Sequence, residues 1–290
     1  MIRAVFSDLD GTLLREDKTL SPLTKKTVAY LQETGVWFGF ATGRPFAGVK
    51  DLMEELRMPE YDGVSVVNTG ATLRQNRDGA LVDGKFSPTA GIVDLYALAK
   101  DTGCILTGYS DVALYVVHSF DLPTEPSMEE VLRKSPAFAY ESDVLKMPLH
   151  FCSTENLPQE VGRWNLLGEK EQVDKAWDIC PPCLQEMYLR VRNEMFSMEM
   201  LHPGAGKEQR ILSLLEAKGW KKEEILVLGD GNNDVSMLSA FPNSIAMANG
   251  TNRAKQAAHY LTSTNEEEGF FRGISQFFDL PKTLRQSIDN

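Results

Sequence analysis

Asp8 and Asp10 stand two residues apart in the segment Asp8-Leu9-Asp10-Gly11-Thr12-Leu13, directly after the apolar run 2–7. Two carboxylates this close repel each other unless a cation lies between them or one takes a proton. A hard divalent cation with oxygen ligands removes the conflict, and Mg2+ suits phosphate chemistry best. A second acidic loop, Gly229-Asp230-Gly231-Asn232-Asn233-Asp234, follows the very apolar run 225–228. Either loop alone reads as a solvated turn. Together they offer an oxygen cluster for one metal, and Gly11 lets the chain turn sharply after the first pair.

Phosphate chemistry sets a charge problem. The 290-residue chain has 30 basic and 41 acidic side chains, a formal net charge of −11. Such a surface repels nucleic acid and anionic membrane, and no basic stripe offsets it. A phosphate ester must therefore meet positive charge supplied by the site itself. Thr42-Gly43-Arg44 follows the run 36–41. Its hydroxyl and glycine N–H can meet a phosphoryl oxygen, and Arg44 adds a charge-assisted contact; the competing reading is a helix cap ahead of Pro45. Lys207 opens a helix after Gly204-Ala205-Gly206. There it opposes the helix dipole unless an anion is present. It is not a P-loop lysine, because Leu201 holds the first glycine's place and Glu208 that of Ser/Thr. Gly229-x-Gly231 is no dinucleotide fingerprint either, since Asp234 replaces the third glycine.

These loops need a scaffold that aims them at one point. Short apolar runs at 2–7, 36–41 and 64–67 alternate with helical patterns, one beginning at Ser21-Pro22 and closing at Gly35, another over 45–56. That alternation predicts a parallel sheet with right-handed crossovers, whose ligands bind beyond the carboxyl ends of the strands. At Asn76-Arg77-Asp78-Gly79 a hairpin interrupts the pattern. A helix is expected from Ser87-Pro88 to Gly103, then strands at 105–107, 114–117 and 146–151 in a stretch of α+β texture. From Met195 the first texture returns: a strand over 196–201, the Lys207 helix to about Lys218, strands at 225–228, 245–248 and 260–261, and a last helix over 270–278. The expected architecture is α/β, a doubly wound parallel-sheet core (1–84 and 191–290) with an inserted α+β cap domain (85–190).

The four loop segments, in this order, resemble the four motifs of the haloacid dehalogenase-like superfamily. Asn68-Thr69-Gly70-Ala71 is similar to the Asn-Gly-Ala loop of its Cof-type subclass (IIB), though Thr69 intervenes. Ala246-Met247-Ala248-Asn249-Gly250 and the stretch from Thr262 to Gly269 resemble that subclass as well. Glu208 departs from the glycine usual after the lysine. The resemblance implies a Rossmann-like core, a cap that sets the substrate, and a phosphatase working through an aspartyl-phosphate. By position it makes Asp8 the nucleophile and Asp10 the acid and base. Asp8, Asp10 (through its carbonyl), Asp230 and Asp234 become the Mg2+ ligand set, with Asn233 in support. Thr42 and Lys207 bind the phosphoryl group, and Gly43, Arg44, Asn68, Gly70 and Asn233 line the substrate pocket. The partner is a small-molecule phosphate ester, sugar phosphates first and nucleotides or phosphorylated cofactors after. A phosphomutase or a non-catalytic binding protein on this fold are the alternatives.

Other features carry less. Cys180-Pro181-Pro182-Cys183 has metal or redox spacing but no second pair at zinc-finger distance. His118, His150, His202 and His259 lack ligand spacing, Trp164 and Trp177 read as cap core, and Glu266-Glu267-Glu268 as the solvated start of the last helix. No apolar run reaches the ~20 residues that span a bilayer, and four cysteines do not make a disulfide framework. A cytoplasmic monomer or small homo-oligomer is expected.

Overall fold

The computed structural model describes residues 1–117, 147–193 and 197–286. His118, Lys146, Met195 and Phe196 lie outside the described residues. In chain order the strands are β1 (Ala4–Ser7), β2 (Trp37–Phe40), β3 (Val64–Val67), β4 (Thr72–Gln75), β5 (Leu81–Gly84), β6 (Ile105–Tyr109), β7 (Leu114–Val117), β8 (Leu149–Cys152), β9 (Arg163–Leu167), β10 (Leu189–Asn193), β11 (Ser197–Leu201), β12 (Ile225–Gly229), β13 (Asn243–Ala246) and β14 (Tyr260–Leu261).

Five strands form a parallel sheet in the order β14-β13-β12-β1-β2. β1 and β12 are buried along their whole length, which is why both read as unbroken apolar runs. Successive side chains point to opposite faces. Val5, Leu226 and Leu228 pack in one core cluster, against the helices Pro22–Glu33 and Gly269–Ile274. Ala4, Phe6 and Val227 pack in another, against Lys207–Lys218 and Val235–Ala240. The doubly wound core follows directly.

β3 lies beside β2 but does not extend its ladder in the ordinary way. The Ser65 hydroxyl accepts from the Phe40 N–H at 3.0 Å, taking the place of a main-chain carbonyl. A Cβ at Gly39 would meet the Val64 carbonyl at 2.0 Å, so only glycine permits this approach. β3 instead pairs antiparallel with β4, and β4 with β5, around the expected hairpin.

The second sheet, β10-β11-β9-β6-β7-β8, is antiparallel except for the β7–β8 pair. Trp164, Leu166, Met198 and Met200 pack on one face with the helices Ile92–Thr102 and Lys170–Asp178. Here one expectation is corrected. The strand assigned at 196–201 to the returning core texture belongs to this sheet, because Ser197–Leu201 pairs antiparallel with both β9 and β10. Its alternation, with Met198 and Met200 inward to the helices, is decided by those partners. Helix limits also move. Ser87 does not cap a helix, since its hydroxyl donates to the carbonyls of Gly162 and Met200, and the helix starts at Ile92. The stretch expected as one helix over 45–56 is a 3-10 turn, Phe46–Val49, followed by Lys50–Glu55, and the helix expected over 270–278 is Gly269–Ile274.

Candidate active site

Parallel register brings the chemistry to one edge. β1 lies between β2 and β12, with Ser7 level with both Phe40 and Leu228. The chain leaves all three strands at the same height, so Asp8, Thr42 and Asp230 emerge together at the carboxyl end of the sheet. Asp8, Asp230 and Asp234 place ligand oxygens within 4.8 Å of one another.

Lys207 reaches this cluster from the start of its helix. Its fully buried ammonium donates to Asp234 Oδ1 at 2.6 Å and to Asp8 Oδ1 at 3.1 Å. Burial alone would depress the lysine, but the charges of Asp234 and Asp8 outweigh it and hold its pKa above the ordinary value. It stays a cation. Asp234 also accepts the N–H groups of Asp230 and Gly231 at 3.0 and 2.9 Å, so one carboxylate fixes both the lysine and the acidic loop.

The carboxylates remain crowded despite that lysine. Burial first, then the charge of Asp234, pushes Asp8 well above the carboxylate range. The same causes raise Asp230 to about 7, against the opposing hydrogen bond from Thr12. That hydrogen bond runs from Thr12 Oγ1 to Asp230 Oδ1 at 2.6 Å. Three oxygens gathered at one point, two with raised affinity for a positive charge, form a donor set suited to a hard divalent cation. Gly11 makes the approach possible: its φ is +79°, and a Cβ there would lie 2.3 Å from Asp230 Oδ2.

Asp10 faces a different environment. Arg44 grips it with Nε to Oδ2 at 2.7 Å and Nη2 to Oδ1 at 2.8 Å, and Lys18 Nζ lies 2.9 Å from Oδ1. Burial would raise this carboxyl, yet the Arg44 and Lys18 contacts hold it well below the usual range. Arg44, expected to line the substrate pocket, thus spends its fork on Asp10 in this state. Lys18 carried no sequence signal, being one of several charges in a loop, and its left-handed φ of 66° is what turns it back toward Asp10.

Thr42 is buried, and its hydroxyl accepts from the Arg44 N–H at 3.1 Å. Asn68, Thr69 and Gly70 form a tight turn of positive φ that packs on it, with the Thr69 N–H donating to the Thr42 carbonyl at 3.1 Å. Asn68 faces the second sheet rather than open solvent: its amide donates to the Tyr109 carbonyl at 3.3 Å and its oxygen accepts from Arg163 at 3.1 Å. Asn233 folds its side-chain oxygen over Gly231. Gly70 has φ +86°, and a Cβ there would meet the Gly206 backbone at 2.4 Å. That contact sets the loop from which Lys207 starts. Gly70→Ala should therefore cost at least about 2 kcal/mol, read as a lowered melting temperature, through left-handed strain and backbone collision combined.

Sequence reading also missed the clamps on the loop after Asp10. Asn249 donates to the Gly11 carbonyl at 2.8 Å and Asn265 to the Leu14 carbonyl at 2.8 Å. Glu268 accepts from Arg15 at 2.8 Å and from Ser21 at 2.6 Å. The glutamate run was expected at a solvated helix start. Glu266 and Glu267 are exposed in the 3-10 turn Asn265–Glu267 just ahead of the helix Gly269–Ile274, as expected, whereas Glu268 at φ 57° is drawn into this clamp. Cys180 is buried and Cys183 exposed, both free thiols, and Trp164 is fully buried in the helix-covered cluster. Among the described residues, no helix is long and apolar enough to cross a membrane.

Known proteins share this plan. A protein of Bacillus subtilis (strain 168), 5-amino-6-(5-phospho-D-ribitylamino)uracil phosphatase YitU, is 26% identical over 284 residues, covering 94% of this chain and 96% of its own. A solved haloacid dehalogenase-like hydrolase from Bacteroides thetaiotaomicron superposes with a TM-score of 0.81 at 26% identity, over 96% of this chain and 100% of its own. The HAD subclass IIB sugar phosphatase BT4131 shares the fold at 22% identity, with a TM-score of 0.75 over 95% of this chain and 98% of its own. The sequence profile of the haloacid dehalogenase-like hydrolases matches residues 5–274 and so takes in every loop of the cluster. By that match, over nearly its whole length, the chain belongs to the haloacid dehalogenase-like hydrolase family.

Proposed function

We propose that the chain hydrolyses small phosphate monoesters in two steps through an aspartyl-phosphate on Asp8. The observation that carries this reading is the buried Lys207 ammonium within hydrogen-bonding distance of Asp8 Oδ1, a permanent cation beside the nucleophile of an otherwise acidic protein. Phosphoryl transfer depends mostly on positioning and on charge stabilisation. The names of YitU and of the subclass IIB sugar phosphatase point the same way.

In the first step an Asp8 oxygen bonds to phosphorus, the ester P–O bond breaks, and Asp10 gives the leaving oxygen its proton. In the second, water loses a proton to Asp10 and bonds to phosphorus, releasing phosphate and the Asp8 carboxylate. Asp10 in its ion pair is a carboxylate, ready for the basic step. Its acidic turn requires the incoming ester to draw Arg44 and Lys18 away, because loss of those charges raises its proton affinity. Thr42 and Lys207 hold the phosphoryl oxygens. The side chains of Asp8 and Asp230, with the Asp10 carbonyl and Asp234 and Asn233 in support, would hold Mg2+, whose charge lets an anionic nucleophile meet an anionic ester. The division into a core of 1–84 and 191–290 around a cap of 85–190 enters this proposal with one change. The return crossing is set at 201–206, since β11 pairs within the second sheet.

A phosphate-release screen over sugar phosphates, nucleotides and phosphorylated cofactors tests the proposal. Turnover should appear with Mg2+, vanish with chelator and return on adding the metal back. Free phosphate, not an isomerised sugar phosphate, should be the product. Silence across the panel with Mg2+, or full activity in chelator, would sink it.

A further inference from the structure

Lys18 stands at the tip of a turn that is fastened on both flanks. The Arg15 N–H donates to the Thr19 carbonyl and the Lys18 N–H to the Arg15 carbonyl, each at 3.0 Å. One carboxylate holds the two flanks: Glu268 Oε1 accepts from Arg15 Nη2 at 2.8 Å, and its Oε2 accepts from the Ser21 hydroxyl at 2.6 Å. Glu266 accepts the Glu16 N–H at 2.7 Å, and Asp17 Oδ1 accepts both the N–H and the hydroxyl of Thr19. Lys18 and Glu268 both take left-handed backbone angles, φ 66° and 57°. Residues other than glycine keep such angles only where the surroundings over-determine them. All of this aims one lysine, whose Nζ lies 2.9 Å from Asp10 Oδ1. A solvent-exposed ion pair adds little to stability, so stability alone does not account for the fastening.

The cations set against the carboxylates of the site differ in reach. Lys207 is fully buried, the Arg44 side chain is 7% exposed and that of Lys18 is 39% exposed. Lys18 is therefore the charge that an ester meets first, on a protein of net charge −11 whose site gathers Asp8, Asp10, Asp230 and Asp234. To take a proton from Asp10, the leaving oxygen must come within about 3 Å of its carboxyl group. Two groups that share Oδ1 at such distances lie at most about 6 Å apart. Near neutral pH a phosphate monoester carries close to two negative charges. At equal distance a dianion attracts an ammonium about twice as strongly as one carboxylate does. Exchange of Asp10 for the ester is downhill for Lys18.

We propose that Lys18 is a further substrate-binding residue, which passes from Asp10 to the phosphoryl group of the incoming ester, and that Glu268 is the positioning residue that keeps it at the mouth of the site. This rests on the phosphatase reading above. With p-nitrophenyl phosphate and Mg2+, the quantities to measure are KM, kcat/KM and inhibition by inorganic phosphate. Lys18→Met should raise both KM and the phosphate inhibition constant at least about 5-fold. Between about 0.05 M and about 0.5 M KCl, its kcat/KM should fall by no more than about half as much as that of wild type on a logarithmic scale. Lys18→Arg should keep both properties, because it keeps the charge. Glu268→Gln should raise KM and retain the salt dependence. Lys18→Met/Glu268→Gln should be no worse than Lys18→Met, since the glutamate acts through the lysine. Melting temperatures identify a Glu268→Gln protein that fails to fold, and Arg15→Met, which frees one flank of the turn, then takes its place. Wild-type KM or wild-type salt dependence in Lys18→Met would overturn the assignment, as would a Lys18→Arg protein equally impaired. Losses in Glu268→Gln and Lys18→Met that multiply in the double variant would remove the positioning role. If wild type releases phosphate from no ester, the phosphatase reading falls and this inference falls with it. If wild type is active and Lys18→Met matches it, only this inference is lost.

Discussion

Asp8→Asn should reduce phosphate release by a factor on the order of 10^4 or more, because an amide cannot form the acyl-phosphate. The fold should survive, since the substitution keeps shape in a site where the carboxylate is crowded rather than supported. Burial and the neighbouring Asp234 raise Asp8 well above the carboxylate range, and Asp230 to about 7. A carboxyl whose pKa rises on folding binds its proton more tightly in the native state. The stability it lends is complete below the unfolded pKa and is lost as pH climbs through the folded one. Metal-free wild type should therefore lose stability between about pH 4 and pH 7, by up to about 1.4 kcal/mol per pH unit for each group. Asp8→Asn should show a shallower slope over that range. Thermal unfolding in chelator at several pH values measures both slopes, and a variant slope as steep as that of wild type contradicts the crowding described here. Full turnover by folded Asp8→Asn would remove Asp8 as nucleophile.

Lys207→Met should damage both stability and chemistry. The ammonium is fully buried and shared by Asp8 and Asp234. Methionine fills most of the volume but leaves two buried carboxylates without their cation. Removing one partner of such a network costs about 3–5 kcal/mol, or roughly 10 °C in melting temperature for a chain of this size. Loss of a fixed charge at the transferring phosphoryl should lower kcat by about 10^2–10^3. Addition of Asp234→Asn to Lys207→Met should restore stability and not activity, because the amide has no charge to neutralise. Recovery of neither stability nor activity would place the main role of Lys207 elsewhere. Loss of activity with unchanged stability would mean that the carboxylates find other partners.

The parallel core was legible because burial on both faces leaves a strand with an uninterrupted apolar run. β1 and β12 are of that kind, and the acidic loops begin where those runs end. Lys207 was legible as a charge set against its helix dipole. What stayed hidden depends on partners far along the chain. Ser197–Leu201 alternates polar and apolar residues although it is buried on both faces, and only β9 and β10 decide which sheet it joins. Arg44 is as able to grip a carboxylate as a phosphate, and nothing local says that Asp10 receives it. Asn165 looks ordinary until its buried oxygen is found without a donor among the described residues. Glu268 reads as one of three glutamates, although it alone reaches Arg15 and Ser21, 253 and 247 residues away.

The central place of β1 has a consequence for synthesis on the ribosome. β1 is made ahead of both its neighbours: one, β2, follows within about thirty residues, but the other, β12, arrives only at Ile225–Gly229. Until then the long side of β1 is an unpaired apolar edge, the kind of surface that invites intermolecular pairing. The nascent chain must be shielded until β12 is made, and release of truncated products ending before residue 225 should send them into aggregates.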